Sequence, residues 1–284
     1  MKQVNIIILF LIGVCASTGA QTLTHRYVEL ADSADRYMRL ERWADAERVI
    51  IGALKHEPAN PSNWLLWSNL GVVRTHRENY EGAMQAYEIG LAGAPRSTVL
   101  LSNRAWTSLA FNRPGDAMAD LDATLALDSL QPWPLKMRGL LSMAKSPVKA
   151  RRDLVLADSL APDDPAVLAA IADLEAADAQ IEKALTFYER SLKLRPDPDV
   201  TFRTLLIMTE KGDFRTAQIR TSEALARWPK DPNLHLLRAL QHQKNYDFDA
   251  ELREKNLAVA YGADIHLVDR ILNKRSSKKV QDID

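Results

Sequence analysis

Apolar residues recur along this chain at the three- and four-residue steps of an α-helix, in segments that prolines or glycines bring to an end. In one clear segment, Trp67 and Leu70 precede Ala83 and Tyr87, and Pro95 closes the pattern. The strict alternation of apolar and polar residues that is typical of a strand does not persist over any segment. The pattern therefore predicts an all-α chain built from pairs of helices.

An alanine returns at a nearly constant interval along the chain. The seven positions are Ala46, Ala83, Ala117, Ala150, Ala184, Ala217 and Ala250. Their successive intervals are 37, 34, 33, 34, 33 and 33 residues. A closing residue follows each alanine about a dozen positions later, and most of these residues are prolines, which stop helices. These closing residues are Pro58, Pro95, Ser129, Pro162, Pro196, Pro229 and Gly262. Because two helices can cross closely only where a side chain is small, this spacing predicts seven helical hairpins.

The second of these units resembles the tetratricopeptide repeat, whose pattern extends over about 34 residues. The residues that carry the pattern are Trp67, Leu70, Gly71, Ala83, Tyr87 and Pro95. The resemblance covers roughly residues 27–264 in seven units. The sixth and seventh units depart most, because Thr221 and Glu254 occupy positions where a large apolar residue is usual. The resemblance implies a right-handed superhelical solenoid of antiparallel helix pairs with an inner groove that binds peptides or partner helices.

The first twenty residues have the order of a secretory signal peptide. Lys2 precedes an apolar run at residues 6–12, and small residues follow at 16–20. The run is shorter than the roughly 20 apolar residues of a transmembrane helix, which disfavours an uncleaved anchor. Lipid attachment at Cys15 is also disfavoured, because the preceding Val14 is not small. We therefore expect a signal peptide at 1–20 and export to the periplasm or the extracellular space.

The remaining chain is predicted to be a repeat domain over residues 21–273, followed by a flexible tail at 274–284. The domain should end in a capping helix, with Asp264 at its start and Ile265, Val268 and Leu272 packed against the seventh unit. Aspartate–proline pairs at Asp164, Asp197 and Asp231 should begin the first helices of units five, six and seven. Thr24 is a candidate cap for the first helix, and residues 113–116 are read as the turn of the third unit.

Composition and charge narrow the possible functions. Lysine plus arginine and aspartate plus glutamate are both 37 in number. This balance disfavours nucleic-acid binding and general attraction to anionic membranes. Cys15 is the only cysteine, so cleavage of the signal peptide would leave no thiol chemistry.

The sequence contains no recognisable catalytic, phosphate-binding or zinc-protease motif. Its six histidines lie in different units, and no two have the i, i+4 spacing that favours metal binding on a helix. We therefore expect no catalytic residue, no cofactor and no metal, and interpret the chain as a protein that is not an enzyme.

A groove on the first helices is the candidate binding site. The resemblance places Asn69 and Asn103 at one groove position of units two and three, where an amide can bond a peptide backbone. The alternative for both is a solvated helix surface. Trp106 is a candidate anchor, because exposed tryptophans are enriched among binding hot spots, although it could instead pack against the next unit. The full predicted set is Asn69, Asn103, Trp106, Lys136, Met137, Leu140 and Arg203. Trp133 is interpreted as a packing residue.

The leading functional hypothesis is an exported, non-catalytic scaffold or adaptor that binds a protein or peptide. Two alternatives stay open. One is an accessory subunit that residues 1–20 anchor in the membrane and that organises a cell-envelope complex. The other is an enzyme whose site is not recognisable. The sequence predicts neither the identity of the partner nor the oligomeric state.

Overall fold

The computed structural model describes residues 24–211 and 213–272, and this part of the chain contains fifteen α-helices and no strand. The predicted signal peptide at 1–20 and the predicted tail at 274–284 both lie outside the described residues. The chain divides into two compact units, with the boundary between Leu160 and Ala161.

The first unit contains four helix pairs. They are α1 (His25–Arg39), α2 (Trp43–His56), α3 (Asn63–His76), α4 (Tyr80–Gly93), α5 (Thr98–Ala110), α6 (Pro114–Leu127), α7 (Pro132–Ser142) and α8 (Pro147–Leu160). The second unit contains three pairs and a single last helix. They are α9 (Pro165–Ala177), α10 (Ile181–Leu194), α11 (Pro198–Lys211), α12 (Phe214–Arg227), α13 (Pro232–Lys244), α14 (Phe248–Ala260) and α15 (Ile265–Leu272). Within each unit, the two helices of a pair pack on each other and on the first helix of the next pair.

The seven spaced alanines are all buried on second helices, as the sequence predicted. Six of them are the fourth residue of their helix, and Ala250 is the third. Close approach also requires small residues on the first helices. A Cβ atom added to Gly71 would lie 2.4 Å from the Tyr87 ring, and one added to Gly139 would lie 2.7 Å from the Leu154 side chain. The regular spacing therefore marks real crossings inside each hairpin.

The predicted helix starts are confirmed at the aspartate–proline pairs. Asp164, Asp197 and Asp231 each accept hydrogen bonds from backbone N–H groups in the first turn of the following helix. Thr24 caps α1 in the same way. The predicted turn at 113–116 was wrong, because α6 already begins at Pro114. Proline has no backbone N–H to leave unbonded and is favoured at the first helical position.

Five of the turns inside hairpins contain a non-glycine residue in the left-handed region, with φ between 55° and 62°. These residues are Glu41, Glu78, Asn112, Ala179 and Tyr246. In each case the N–H of the next residue donates to the carbonyl five residues earlier, as in Arg42 to Tyr37 and Gln180 to Glu175. This bond closes a Schellman motif, which requires a left-handed residue at the end of the helix.

The third and fourth hairpins are each joined by a buried arginine–aspartate pair. Arg104 forms two hydrogen bonds to Asp120, of 2.8 and 2.6 Å. Arg138 forms the equivalent two bonds to Asp153, of 2.7 and 2.8 Å. Two parallel bonds of this kind fix both distance and orientation, so each pair sets how the two helices of its hairpin align.

The predicted last helix is confirmed, and Asp264 accepts a hydrogen bond from the backbone of His266 at its start. Val268 and Leu272 are buried in the core beside α13. The prediction was wrong for Ile265, whose side chain is 48% exposed. Ile265 is the first residue of α15, and the apolar side that packs on the core instead continues through Leu267 and Ile271.

Candidate functional site

Three rings from the first three hairpins stack at one place in the first unit. The rings of Trp43 and His76 are parallel, with centroids 4.0 Å apart and an interplanar angle of 1°. The His76 ring also faces Trp106, at 5.5 Å and 39°. All three side chains are partly exposed. The group of Trp43, His76 and Trp106, called here the aromatic stack, therefore combines a fixed geometry with access to solvent.

Helix ends bring these rings together. Trp43 is the first residue of α2, directly after the left-handed turn at Glu41, and His76 is the last residue of α3. The next repeat makes a similar contact, because the Tyr80 ring at the start of α4 lies 5.2 Å from the Phe111 ring at the end of α5. The aromatic stack is thus a contact between neighbouring repeats that Trp106 extends by a third ring.

The imidazole of His76 is held in an apolar setting. Burial lowers the pKa of His76 from its ordinary value, and the nearby Glu41 carboxylate opposes this shift only in part. Its Nε2 atom is buried and has no hydrogen-bond partner in the described part of the chain. The ring is therefore mainly uncharged at neutral pH and stacks as a flat, weakly polar surface.

Asn69 and Asn103 lie between packed helices rather than on an open surface. Both are nearly fully buried, and Asn103 Nδ2 donates a 3.0 Å hydrogen bond to Ser68 Oγ. Asn69 Oδ1 is buried without a partner among the described residues. Because α3 and α5 pack side by side, this position of a first helix faces the preceding first helix. Asn103 thus aligns the two helices.

The three predicted residues of α7 divide between core and surface. Met137 packs on the buried core around Ala117 and Leu121, together with Trp133, which agrees with the packing role expected of that tryptophan. Lys136 and Leu140 are partly exposed. Of the predicted residues in the first unit, Trp106, Lys136 and Leu140 therefore keep a surface that a partner can reach.

Arg203 belongs to the second unit and is engaged there. It forms an ion pair with Asp173, and its guanidinium lies 5.8 Å from the centre of the Tyr188 ring. Tyr188 donates a hydrogen bond to the same carboxylate, and burial together with this bond raises the pKa of Tyr188. This cluster joins α9, α10 and α11.

Two members of the aromatic stack escaped the sequence analysis. Trp43 was read as a structural residue and His76 as one of several scattered surface histidines. A signal was available in the repeat itself. An aromatic residue opens a second helix at Trp43 and at Tyr80, and a ring follows at the end of the next first helix, 33 residues later at His76 and 31 at Phe111.

The described residues hold no group of three or more His, Cys, Asp or Glu side chains that could bind a metal ion. In the same part of the chain, no helix is both long enough and apolar enough to cross a membrane.

Comparisons with known proteins agree with the repeat architecture. Residues 32–98 match the tetratricopeptide repeat family. No curated protein matches the chain. A tetratricopeptide repeat protein from Parabacteroides merdae ATCC 43184 superposes with a TM-score of 0.60 at 19% identity, over 88% of this chain and 98% of that one.

Two further solved structures share the fold. PilW, a type IV pilus biogenesis factor, has a TM-score of 0.58 at 20% identity, over 75% of this chain and 98% of its own. YrrB, a tetratricopeptide repeat protein with an unusual peptide-binding site, has a TM-score of 0.54 at 16% identity, over 64% of this chain and 95% of its own. The match at residues 32–98 and the shared fold identify this chain as a tetratricopeptide repeat protein.

Proposed function

We propose that this chain is an exported, non-catalytic scaffold that binds a protein or peptide partner, and that the aromatic stack of the first unit is the anchor point. The observation that carries this proposal is the partly exposed, parallel stack of Trp43 and His76 with Trp106 beside it. Tetratricopeptide repeat folds serve as interaction scaffolds, and YrrB is described as having a peptide-binding site.

The physical case rests on preorganisation. Stacked rings lose little freedom when a partner covers them, and large flat side chains bury much apolar area, which is why tryptophan is enriched among hot spots. The uncharged imidazole adds apolar surface without a large desolvation cost. We therefore expect the stack to receive an apolar or aromatic side chain of the partner, with Leu140 and Lys136 as further contacts on α7.

Export is proposed from residues 1–20 and has the pilus factor PilW as a precedent among proteins with this fold. The rival proposal is an accessory subunit that the same residues anchor in the membrane. N-terminal sequencing of the protein from its own cells separates the two. Export with cleavage predicts a start near Gln21, and the anchor predicts that Met1 or Lys2 is retained.

The binding proposal is tested with a tagged chain expressed in its own cells, with chemical cross-linking of the cell envelope and quantification of co-purified proteins. Trp106→Ala should reduce capture of the main partner by at least about tenfold, since loss of a desolvated aromatic anchor costs on the order of 2 kcal/mol. Tyr80→Ala is the matched control, because it removes the similar ring contact of the next repeat.

Circular dichroism establishes that both variants fold. A folded Trp106→Ala variant that captures its partner undiminished would show that the aromatic stack is not the anchor. Equal losses in both variants would point to a general effect on the first unit and would also contradict the proposal.

A further inference from the structure

The last hairpin exposes an unusual amount of apolar surface. Seven of the sixteen large apolar side chains that are exposed in the described part of the chain lie between Tyr246 and Ile265. On α14, Phe248 is 63% exposed, Leu252 58% and Val259 44%. At 100° per residue these three share one side of the helix with Lys255. Exposed apolar patches of this kind mark interaction sites.

The stripe formed by Phe248, Leu252, Lys255 and Val259 is particular to α14 within the second unit. The equivalent positions of α12, 33 residues earlier, are Arg215, Ile219, Ser222 and Ala226. Those of α10 are Glu182, Thr186, Glu189 and Lys193. Because α10 and α12 occupy equivalent places in their hairpins and carry mostly polar or small residues there, the fold itself does not require apolar side chains at these positions.

We propose that the α14 stripe is a self-association surface, on which two copies of this chain pack their α14 helices antiparallel. The stripe has intervals of four, three and four residues, which is the spacing of a two-stranded coiled-coil seam. A two-fold axis between Leu252 and Lys255 sets Phe248 against Val259 of the partner subunit. The same patch then serves both copies, as a two-fold interface requires.

The charges of the stripe favour a second copy over an unrelated protein. Glu251 lies along the edge of the stripe, and its carboxylate accepts a 2.9 Å hydrogen bond from Gln243 Nε2. Glu251 and Lys255 are both only partly exposed. In the antiparallel pair, Lys255 reaches the level of Glu251 of the partner subunit, and the axis generates this ion pair twice. The seam is thus complementary to itself in charge as well as in apolar character.

The size of the surface sets the expected strength. A helix of 13 residues is about 20 Å long, so one stripe on each copy buries less than the roughly 1,200–2,000 Å² of a standard stable interface. We therefore expect a dimer that dissociates on dilution, with a dissociation constant on the order of micromolar.

Sedimentation velocity of the full chain over a concentration series, up to about 100 times the expected dissociation constant, tests the proposal. Leu252→Asp should raise the dissociation constant by at least about tenfold, because it places a charge in the seam. Ile219→Asp is the matched control, since Ile219 is 55% exposed at the equivalent position of α12, and it should leave the dimer unchanged within about twofold. A chain that is monomeric at every concentration, or a dimer that both variants weaken equally, would overturn the proposal.

A charge exchange tests the antiparallel register. Glu251→Lys and Lys255→Glu should each weaken the dimer, because each places like charges opposite one another, and the double variant should restore it. A double variant that stays as weak as either single one would contradict the register. A monomeric chain whose stripe instead retains a different protein, so that Leu252→Asp abolishes that capture, would overturn self-association in favour of a foreign partner.

Discussion

Thr107 Oγ1 lies 2.8 Å from Thr75 Oγ1, and this buried hydrogen bond joins the first helices of the second and third repeats. The hydroxyl of Tyr87, on the second helix between them, lies 3.0 Å from the same Thr107 atom. The second unit repeats the arrangement 32 residues apart, where Gln241 Nε2 donates to Thr209 Oγ1 at 3.1 Å.

The recurrence extends to the third member of each group. Gln241 Nε2 also donates to Thr221 Oγ1, 20 residues earlier, at the same separation as Thr107 from Tyr87. Three helices thus meet at one buried polar node in each case. A polar group buried there costs free energy unless its partners are in place, so the node favours one alignment of neighbouring repeats.

Removal of the Thr107 hydroxyl is predicted to destabilise the first unit. Thr107→Val keeps the shape of the side chain but leaves the fully buried Tyr87 hydroxyl without its partner, which should cost about 1–3 kcal/mol. Thr107→Ser retains the hydroxyl and should cost less. Urea unfolding followed by circular dichroism measures both, and equal stability of the valine variant and the wild type would refute the role of the node.

Asn69 offers a prediction of increased stability. Its Oδ1 is a buried acceptor without a partner, whereas the equivalent Asn103 is bonded to Ser68. In the repeat register, Ala31 of the first unit corresponds to Ser68, and its methyl group cannot form a hydrogen bond. Ala31→Ser should therefore supply the missing partner.

The control for Ala31→Ser is Ala34→Ser, on the same helix. Both changes have the same intrinsic helix cost, but Ala34 is fully buried and its new hydroxyl would gain no such partner. We expect Ala31→Ser to be the more stable variant by about 1 kcal/mol in thermal or urea unfolding. The reverse order would show that Asn69 does not face this position.

The left-handed turns predict a reversal of the usual effect of glycine. Ala179 has φ of 58°, a conformation that costs an alanine about 1–2 kcal/mol, so Ala179→Gly should stabilise the fifth hairpin by about 0.5 kcal/mol or more. Ala177→Gly, two residues earlier in the helix, should destabilise it by about 0.5–1 kcal/mol. Opposite shifts of the unfolding midpoint are the expected result, and two shifts of the same sign would contradict it.

His76 predicts a loss of stability in mild acid. Its pKa in the folded chain is below that of the unfolded chain, because burial disfavours the charged ring. The unfolded chain therefore takes up the proton more readily, and stability that is present above about pH 7 decreases as the pH falls through about 6.5.

Unfolding experiments at pH 7.5 and 5.5 measure this loss, and His76→Gln should lose less stability between the two values than the wild type. The carboxylates of Glu47 and Asp45, whose pKa values are lowered by arginine partners, lose their contribution only in more acidic solution. An NMR titration of the His76 ring reports its pKa directly. Identical pH dependence of the two proteins would contradict the assignment.

Much of the fold could be predicted because its signals are local and periodic. Helix starts at Asp164 and Asp231 depend on the few residues that follow them, and the alanine spacing repeats in every hairpin. The candidate site was predicted only in part. Trp106 is accessible, but the burial of Asn103 depends on Ser68, a residue that a periodic pattern does not distinguish from a surface serine.

The sequence by itself determined the number of hairpins, their crossings at small residues and the all-α class, since a helix and its crossing partner lie within about 34 residues of each other. Only the tertiary structure decided which side chains stay available to a partner. His76 stacks on Trp43, Arg203 is engaged by Asp173, and Leu252 is left exposed. Each of these outcomes depends on which neighbouring helix covers a position, because burial and pairing arise from packing between elements and not from the periodicity of one segment.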